Sequence, residues 1–70
     1  MTKYLVIYEP AESGGWGAYS PDLPGCVACG DTKTETEKLI REAIPMHIEA
    51  MREIGEPVPE PHHETGFVAA

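Results

Sequence analysis

Residues 21–32 read PDLPGCVACGDT. Two prolines and a glycine open the stretch, so it cannot begin inside a helix or a central strand. Pro24-Gly25 suits the central positions of a type II turn, with proline fixing φ and glycine supplying φ > 0. Asp22 is placed to hydrogen-bond backbone N–H groups nearby, as Asx residues do in turns. Residues 26–31, CVACGD, then read as a strand. Thr32-x-x-Glu35 matches a capping box and starts a helix. The stretch is therefore turn, strand and helix start in succession, and it fixes what must lie on either side.

Upstream, residues 3–9 (KYLVIYE) are β-branched and aromatic and predict a first strand. Tyr4, Val6 and Tyr8 lie on one face and Leu5 and Ile7 on the other. Both faces are apolar, and one helix covers only one of them, so a second copy of the chain is expected on the other. Residues 10–15 (PAESGG) form a turn cluster. Residues 16–20 (WGAYS) form a second strand, antiparallel to the first. The strand after PDLPG closes a three-stranded meander.

Downstream, Ile40, Ala43, Ile44, Ile48 and Met51 recur at helical spacing, with His47 on the same face. Thr34-x-x-Glu37 offers a second capping box, so the start carries an uncertainty of two residues. Gly55 is a natural stop, and Pro57 and Pro59 forbid continuation. Pro45 conflicts with a single helix, since it removes one hydrogen bond and clashes with the Arg41 carbonyl at a cost of ~3 kcal/mol. The apolar face keeps its phase across Pro45, which favours one kinked helix. Residues 56–64 (EPVPEPHHE) read as an extended connector. Residues 66–70 (GFVAA) predict a short last strand at a sheet edge of this chain or a neighbour. The expected fold is α+β with order β-β-β-α-β: one domain over 1–70, with a core at 1–55, a connector at 56–65 and a terminal strand at 66–70.

Seventy residues make one domain that buries roughly 60% of its unfolded surface, and such chains gain from oligomerisation. The N-terminus lacks the features of a signal peptide, and no stretch approaches ~20 apolar residues. A soluble cytoplasmic protein is expected, with no membrane partner. The formal charge is −7, and the bases Lys3, Lys33, Lys38, Arg41 and Arg52 are scattered. With this balance direct nucleic-acid binding is not expected, and basic proteins are favoured.

The chemistry of the chain is weighed residue by residue. Cys26 and Cys29 share the C-x-x-C spacing of redox and zinc sites. On a strand they stand roughly 10 Å apart at ~3.3 Å per residue and point to opposite faces; a disulfide needs Cα atoms within ~7 Å. Thioredoxin-type cysteines also sit at a helix start, and here the helix begins later. Zinc would need four ligands; His62 and His63 complete a set only if the strand cysteines converge. No metal and no cofactor are expected. His47 reads as a hydrogen-bonded core or interface residue. A metal-dependent nuclease would need converging carboxylates, whereas Glu35, Glu37, Glu42, Glu49 and Glu53 lie on the helix surface. Glu37 with Arg41 and Glu49 with Arg52 have the spacing of surface ion pairs. No catalytic residue is assigned. Trp16 and Tyr19 lie on opposite faces of the second strand, one under the helix and one exposed, and exposed aromatics favour interfaces.

With these residues in order, the chain resembles the HicB-like antitoxin family. The likeness rests on Pro21-Asp22-Leu23-Pro24-Gly25-Cys26, Gly30-Asp31-Thr32, Glu42-Ala43-Ile44 and residues 55–61 (GEPVPEP). It implies a partial RNase H-like fold and a protein that binds and blocks a small basic ribonuclease toxin, as a homo-oligomer (dimer or tetramer). Pro21, Asp22, Pro24, Gly25, Cys26, Gly30, Asp31 and Thr32 are then the structural motif, and Trp16, Tyr19, Asp22 and Leu23 the expected partner-binding set. A solitary, self-assembling member without a toxin is the alternative within the same fold. The stop at Ala70 leaves no room for the DNA-binding domain that many members carry, so operator binding is not expected. Thr36 and Glu37 stand where the family often has alanine and an apolar residue, so the first helical turn is expected to pack less tightly.

Overall fold

The computed structural model describes residues 2–70. Three strands, β1 (Ile7–Pro10), β2 (Trp16–Tyr19) and β3 (Val27–Gly30), precede one helix, α1 (Lys33–Glu53). The strands form one antiparallel sheet in the order β1-β2-β3. The architecture is the α+β meander and helix that the sequence predicts. Helix α1 packs across β3 and β2 and covers one face of the sheet.

The register builds four rows across the sheet: Ile7, Tyr19 and Val27; Tyr8, Ala18 and Ala28; Glu9, Gly17 and Cys29; Pro10, Trp16 and Gly30. Alternate rows face opposite sides. Tyr8 and Ala28 pack with buried Ala18 against Leu23, Cys26 and Ile40, beside Ala43, Ile44 and Ile48 of α1. The row of Ile7, Tyr19 and Val27 lies on the other face.

β1 begins at Ile7, later than the run of apolar residues from Tyr4 implied. The reason lies in its partner. β2 is followed by Ser20 and Pro21; the Ser20 amide bonds the Cys26 carbonyl at 3.4 Å, and proline has no N–H to extend the ladder. Tyr4, Leu5 and Val6 are half-buried all the same. β3 similarly runs shorter than residues 26–31, because Cys26 belongs to the preceding turn and the Asp31 amide turns to Glu35.

The helix starts at Thr32, the first of the two candidate boxes. The Thr32 hydroxyl accepts from the Glu35 amide at 3.0 Å, and the Glu35 carboxylate accepts from the Asp31 amide at 3.2 Å. The reciprocal bond thus reaches one residue before the cap. Pro45 lies within an unbroken α1, on its exposed side, where a missing bond to Arg41 is open to water. Gly55, at φ +78, ends the helix in a Schellman arrangement: Gly55 N–H bonds Arg52 O at 3.1 Å and Glu56 N–H bonds Met51 O at 2.9 Å.

Two further expectations are corrected. Thr36 does not loosen the first turn. It is fully buried, and its hydroxyl donates to Thr32 O at 2.8 Å with Trp16 O at 3.4 Å as a second acceptor. The last strand at residues 66–70 does not form: this segment has no regular structure, and Phe67 and Val68 are fully exposed. The segment pairs with neither free edge of the sheet, β1 or β3. Among the described residues the Glu37–Arg41 and Glu49–Arg52 ion pairs are also not formed.

Candidate functional site

The PDLPG segment is two β-turns placed end to end. Leu23 N–H bonds Ser20 O at 3.1 Å, with Pro21 in second position; Cys26 N–H bonds Leu23 O at 3.0 Å, with Pro24 in second position. Gly25, third in the second turn, has φ +84, the left-handed conformation a type II turn requires there. Prolines in both second positions restrict φ before folding. The double turn drives Leu23 into the core, fully buried, and carries Asp22 inward beside it at 2% exposure.

Asp22 is not directed to a partner at the surface. Its carboxylate meets the C-terminal segment. His62 Nδ1 lies 2.8 Å from Asp22 Oδ1, and His63 Nδ1 bonds the same oxygen. The His63 amide donates to Oδ2 at 3.4 Å. Burial acts to raise the Asp22 pKa, and the side-chain and backbone bonds from His63, with the bond and charge of His62, outweigh it; the net position is below the usual carboxylate value. The segment is fastened a second time where the Tyr4 hydroxyl donates to Pro59 O at 2.7 Å. Residues 56–63 therefore run back over the body of the protein rather than away from it.

These positions revise the expected partner-binding set. Leu23 is a core residue, removed from any partner while the fold is intact. Asp22 is engaged by the chain's own histidines. Trp16 is half-buried in the row that includes Gly30, and its carbonyl faces Thr36. Tyr19 is 37% exposed and Val27, opposite it, 63% exposed. Of the set, Tyr19 lies on the sheet face away from the helix, as one of the two strand aromatics was expected to.

The motif residues carry structure in distinct ways. Pro21, Pro24 and Gly25 make the turns; Cys26 is buried in the core while Cys29 is exposed, and burial pushes the Cys26 thiol up. Gly30, Asp31 and Thr32 join β3 to α1 with almost no clearance. His47 is half-buried and approaches the Gly25 turn, where a Cβ would meet its ring at 3.8 Å.

Sequence spacing links His62 and His63 only to a zinc set with Cys26 and Cys29. No local signal joins Asp22 to His62 and His63, because the two ends stand 41 residues apart with no shared periodicity. The available signal was compositional: a turn aspartate that the fold buries, and a histidine pair after Pro61.

Against known proteins, residues 4–69 match the family described as the HicB-like antitoxin of bacterial toxin–antitoxin systems. The chain belongs to this HicB-like antitoxin family. A UPF0150 protein of Thermoplasma acidophilum is 39% identical over 62 residues, covering 89% of this chain and 90% of that protein. A UPF0150 protein of Synechocystis sp. is 40% identical over 58 residues, 83% of this chain and 73% of its own length. Antitoxin HicB 1 of Photorhabdus laumondii is 34% identical over 59 residues, 84% of this chain and 38% of that antitoxin. None of the helices among the described residues is long and apolar enough to cross a membrane.

Proposed function

We propose that this protein acts by binding rather than by catalysis, as an antitoxin-type partner that neutralises a small basic ribonuclease toxin by occlusion. The observation that carries the reading is the family match across residues 4–69. The surface supports it. The chain holds twelve acidic residues against five basic ones, and among the described residues only Asp22 of the acids is buried. A field of this sign steers a basic protein toward the surface and repels the RNA that the toxin would cut. Charge gives rate and selectivity; a desolvated contact must supply most of the affinity. The row of Ile7, Tyr19 and Val27 on the uncovered sheet face provides aromatic and aliphatic area for it. On this reading the protein works in the cytoplasm, where a ribonuclease meets RNA.

The same uncovered face favours a second reading, a self-assembling dimer or tetramer that has no toxin. One experiment separates the two. The chain is recovered from its native host after nuclease treatment, and co-purifying proteins are identified by mass. A small basic protein near one-to-one, whose expression alone arrests growth and whose arrest this chain relieves, establishes the antitoxin reading. Recovery of only this chain, as a particle of two or more copies, favours the solitary assembly.

A further inference from the structure

We propose that Asp22, His62 and His63 form a binding site for a divalent transition metal, with zinc as the test ion. The three candidate donor atoms lie within 4.8 Å of one another. They are one carboxylate oxygen and two imidazole nitrogens, a donor set suited to zinc and its first-row neighbours. The site departs from the expectation of no metal, and it uses neither cysteine: Cys26 is in the core and Cys29 is exposed on the sheet.

The cluster holds more donors than a hydrogen-bonded clasp needs. One histidine would suffice to fasten the segment to Asp22. Here two adjacent imidazoles converge through Nδ1 on the same oxygen, Oδ1. A tetrahedral zinc with bonds of ~2.0–2.1 Å holds its ligand atoms about 3.3 Å apart. The Nδ1–Oδ1 separations, 2.8 Å for His62 and 2.5 Å for His63, are short of that edge by roughly 0.5 and 0.8 Å. The correction falls on side chains free to make it. The His62 and His63 side chains are 68% and 46% exposed, on a segment with no regular structure. Asp22 is the fixed member, with its side chain fully buried and its backbone held in the double turn. The Glu60 carbonyl oxygen, 3.1 Å from His62 Nδ1, is a further oxygen beside the site. Three protein ligands leave one tetrahedral position for water or for a donor from another molecule.

The consequence is a closed loop. The metal would tie the PDLPG turn to residues 62–63 across the whole of the sheet edge, helix and connector. Metal would then add, independently of any toxin, to the Tyr4–Pro59 and His63–Asp22 bonds that already hold the C-terminal segment.

The test uses the full chain, untagged and freed of metal by chelation. Zinc is titrated calorimetrically, and cobalt(II) is followed by its visible absorption. The expected result is one equivalent bound, a tetrahedral cobalt spectrum and a raised thermal midpoint. His62→Gln and His63→Gln, both on the exposed segment, should each weaken binding by at least about tenfold, and Cys29→Ser should leave it unchanged. Asp22→Asn should abolish the cobalt spectrum; the two histidine variants keep the test valid if that change impairs folding. The proposal is overturned by binding that is absent, that lacks one-to-one stoichiometry, that survives both histidine variants, or that disappears in Cys29→Ser.

Discussion

Gly30 and Thr36 approach so closely that a Cβ at position 30 would stand 2.8 Å from the Thr36 hydroxyl and 3.1 Å from its amide nitrogen. The contact joins the end of β3 to the first turn of α1. Thr36 is fully buried and held by its own bond to Thr32 O, so it cannot swing aside. The glycine of the G-D-T motif is thus required for space rather than for a special φ. Gly30→Ala should cost about 1–3 kcal/mol, the range of overpacked cores, or roughly 5–20 °C in Tm. Gly66→Ala, with nothing within 4 Å, is the matched control and should be neutral. An unchanged Tm in Gly30→Ala would show that the helix start shifts freely. Thr36→Ala in the same background should recover part of the loss, since it removes the nearer of the two clashes.

Leu23→Ala tests whether the PDLPG segment is core or contact surface. Leu23 has 0% exposure, and truncation of such a side chain costs about 2–5 kcal/mol. A domain of this size has only roughly 4–10 kcal/mol in total. The variant should therefore unfold at much lower denaturant, with or without a partner present. Retention of wild-type stability together with loss of partner binding would restore Leu23 to the binding surface.

The parts of this structure that were legible in the sequence are those governed by neighbours in the chain. Pro24-Gly25 specified its turn, Thr32 and Glu35 their cap, and the spacing from Ile40 to Met51 its buried face. The parts that were not legible depend on residues far apart. β1 starts at Ile7 because Pro21, on the other side of β2, cannot extend the ladder. Thr36 is buried because Gly30 permits its approach. Residues 66–70 have strand composition and yet pair with neither edge strand of the sheet, β1 or β3. Asp22 reads locally as a turn residue available to a partner, and no local pattern joins it to His62 and His63.

The two cysteines should differ sharply in chemistry. Cys29 is exposed and Cys26 buried, so a thiol reagent should modify Cys29 alone in the native protein and Cys26 only after unfolding. The raised Cys26 pKa also sets the sign of an alkaline effect. The unfolded thiol, near 8.5, loses its proton before the folded one does. Stability is fully present below that value and falls as pH rises through the interval to the folded pKa. Denaturation curves of the wild type and Cys26→Ala, compared below and above about pH 8.5, should show the steeper alkaline loss in the wild type. Equal slopes, or native-state labelling of both thiols at one rate, would contradict the burial of Cys26.

The uncovered sheet face gives the last prediction its form. Tyr19 and Val27 stand opposite each other on adjacent strands, partly or largely exposed, and neither belongs to the cluster around Leu23 and Ile40. Replacing Val27 with lysine removes apolar contact area and introduces a cation. If this face meets a basic partner or a second copy, the lysine must be desolvated there and the apolar contact is lost, and truncations at such centres commonly cost ≥ 2 kcal/mol. Val27→Lys and Tyr19→Lys should therefore reduce association by about thirtyfold or more, the ratio that 2 kcal/mol represents at ~1.4 kcal/mol per factor of ten. Stability of the isolated chain should change little, because exposed positions generally move it by less than about 0.5 kcal/mol. Light scattering reads self-association, and growth rescue reads toxin binding. Loss in the first assay alone assigns the face to a second copy, and loss in the second alone assigns it to the toxin. Full retention in both would place the contact elsewhere on the acidic surface and remove the Ile7–Tyr19–Val27 row from the interface.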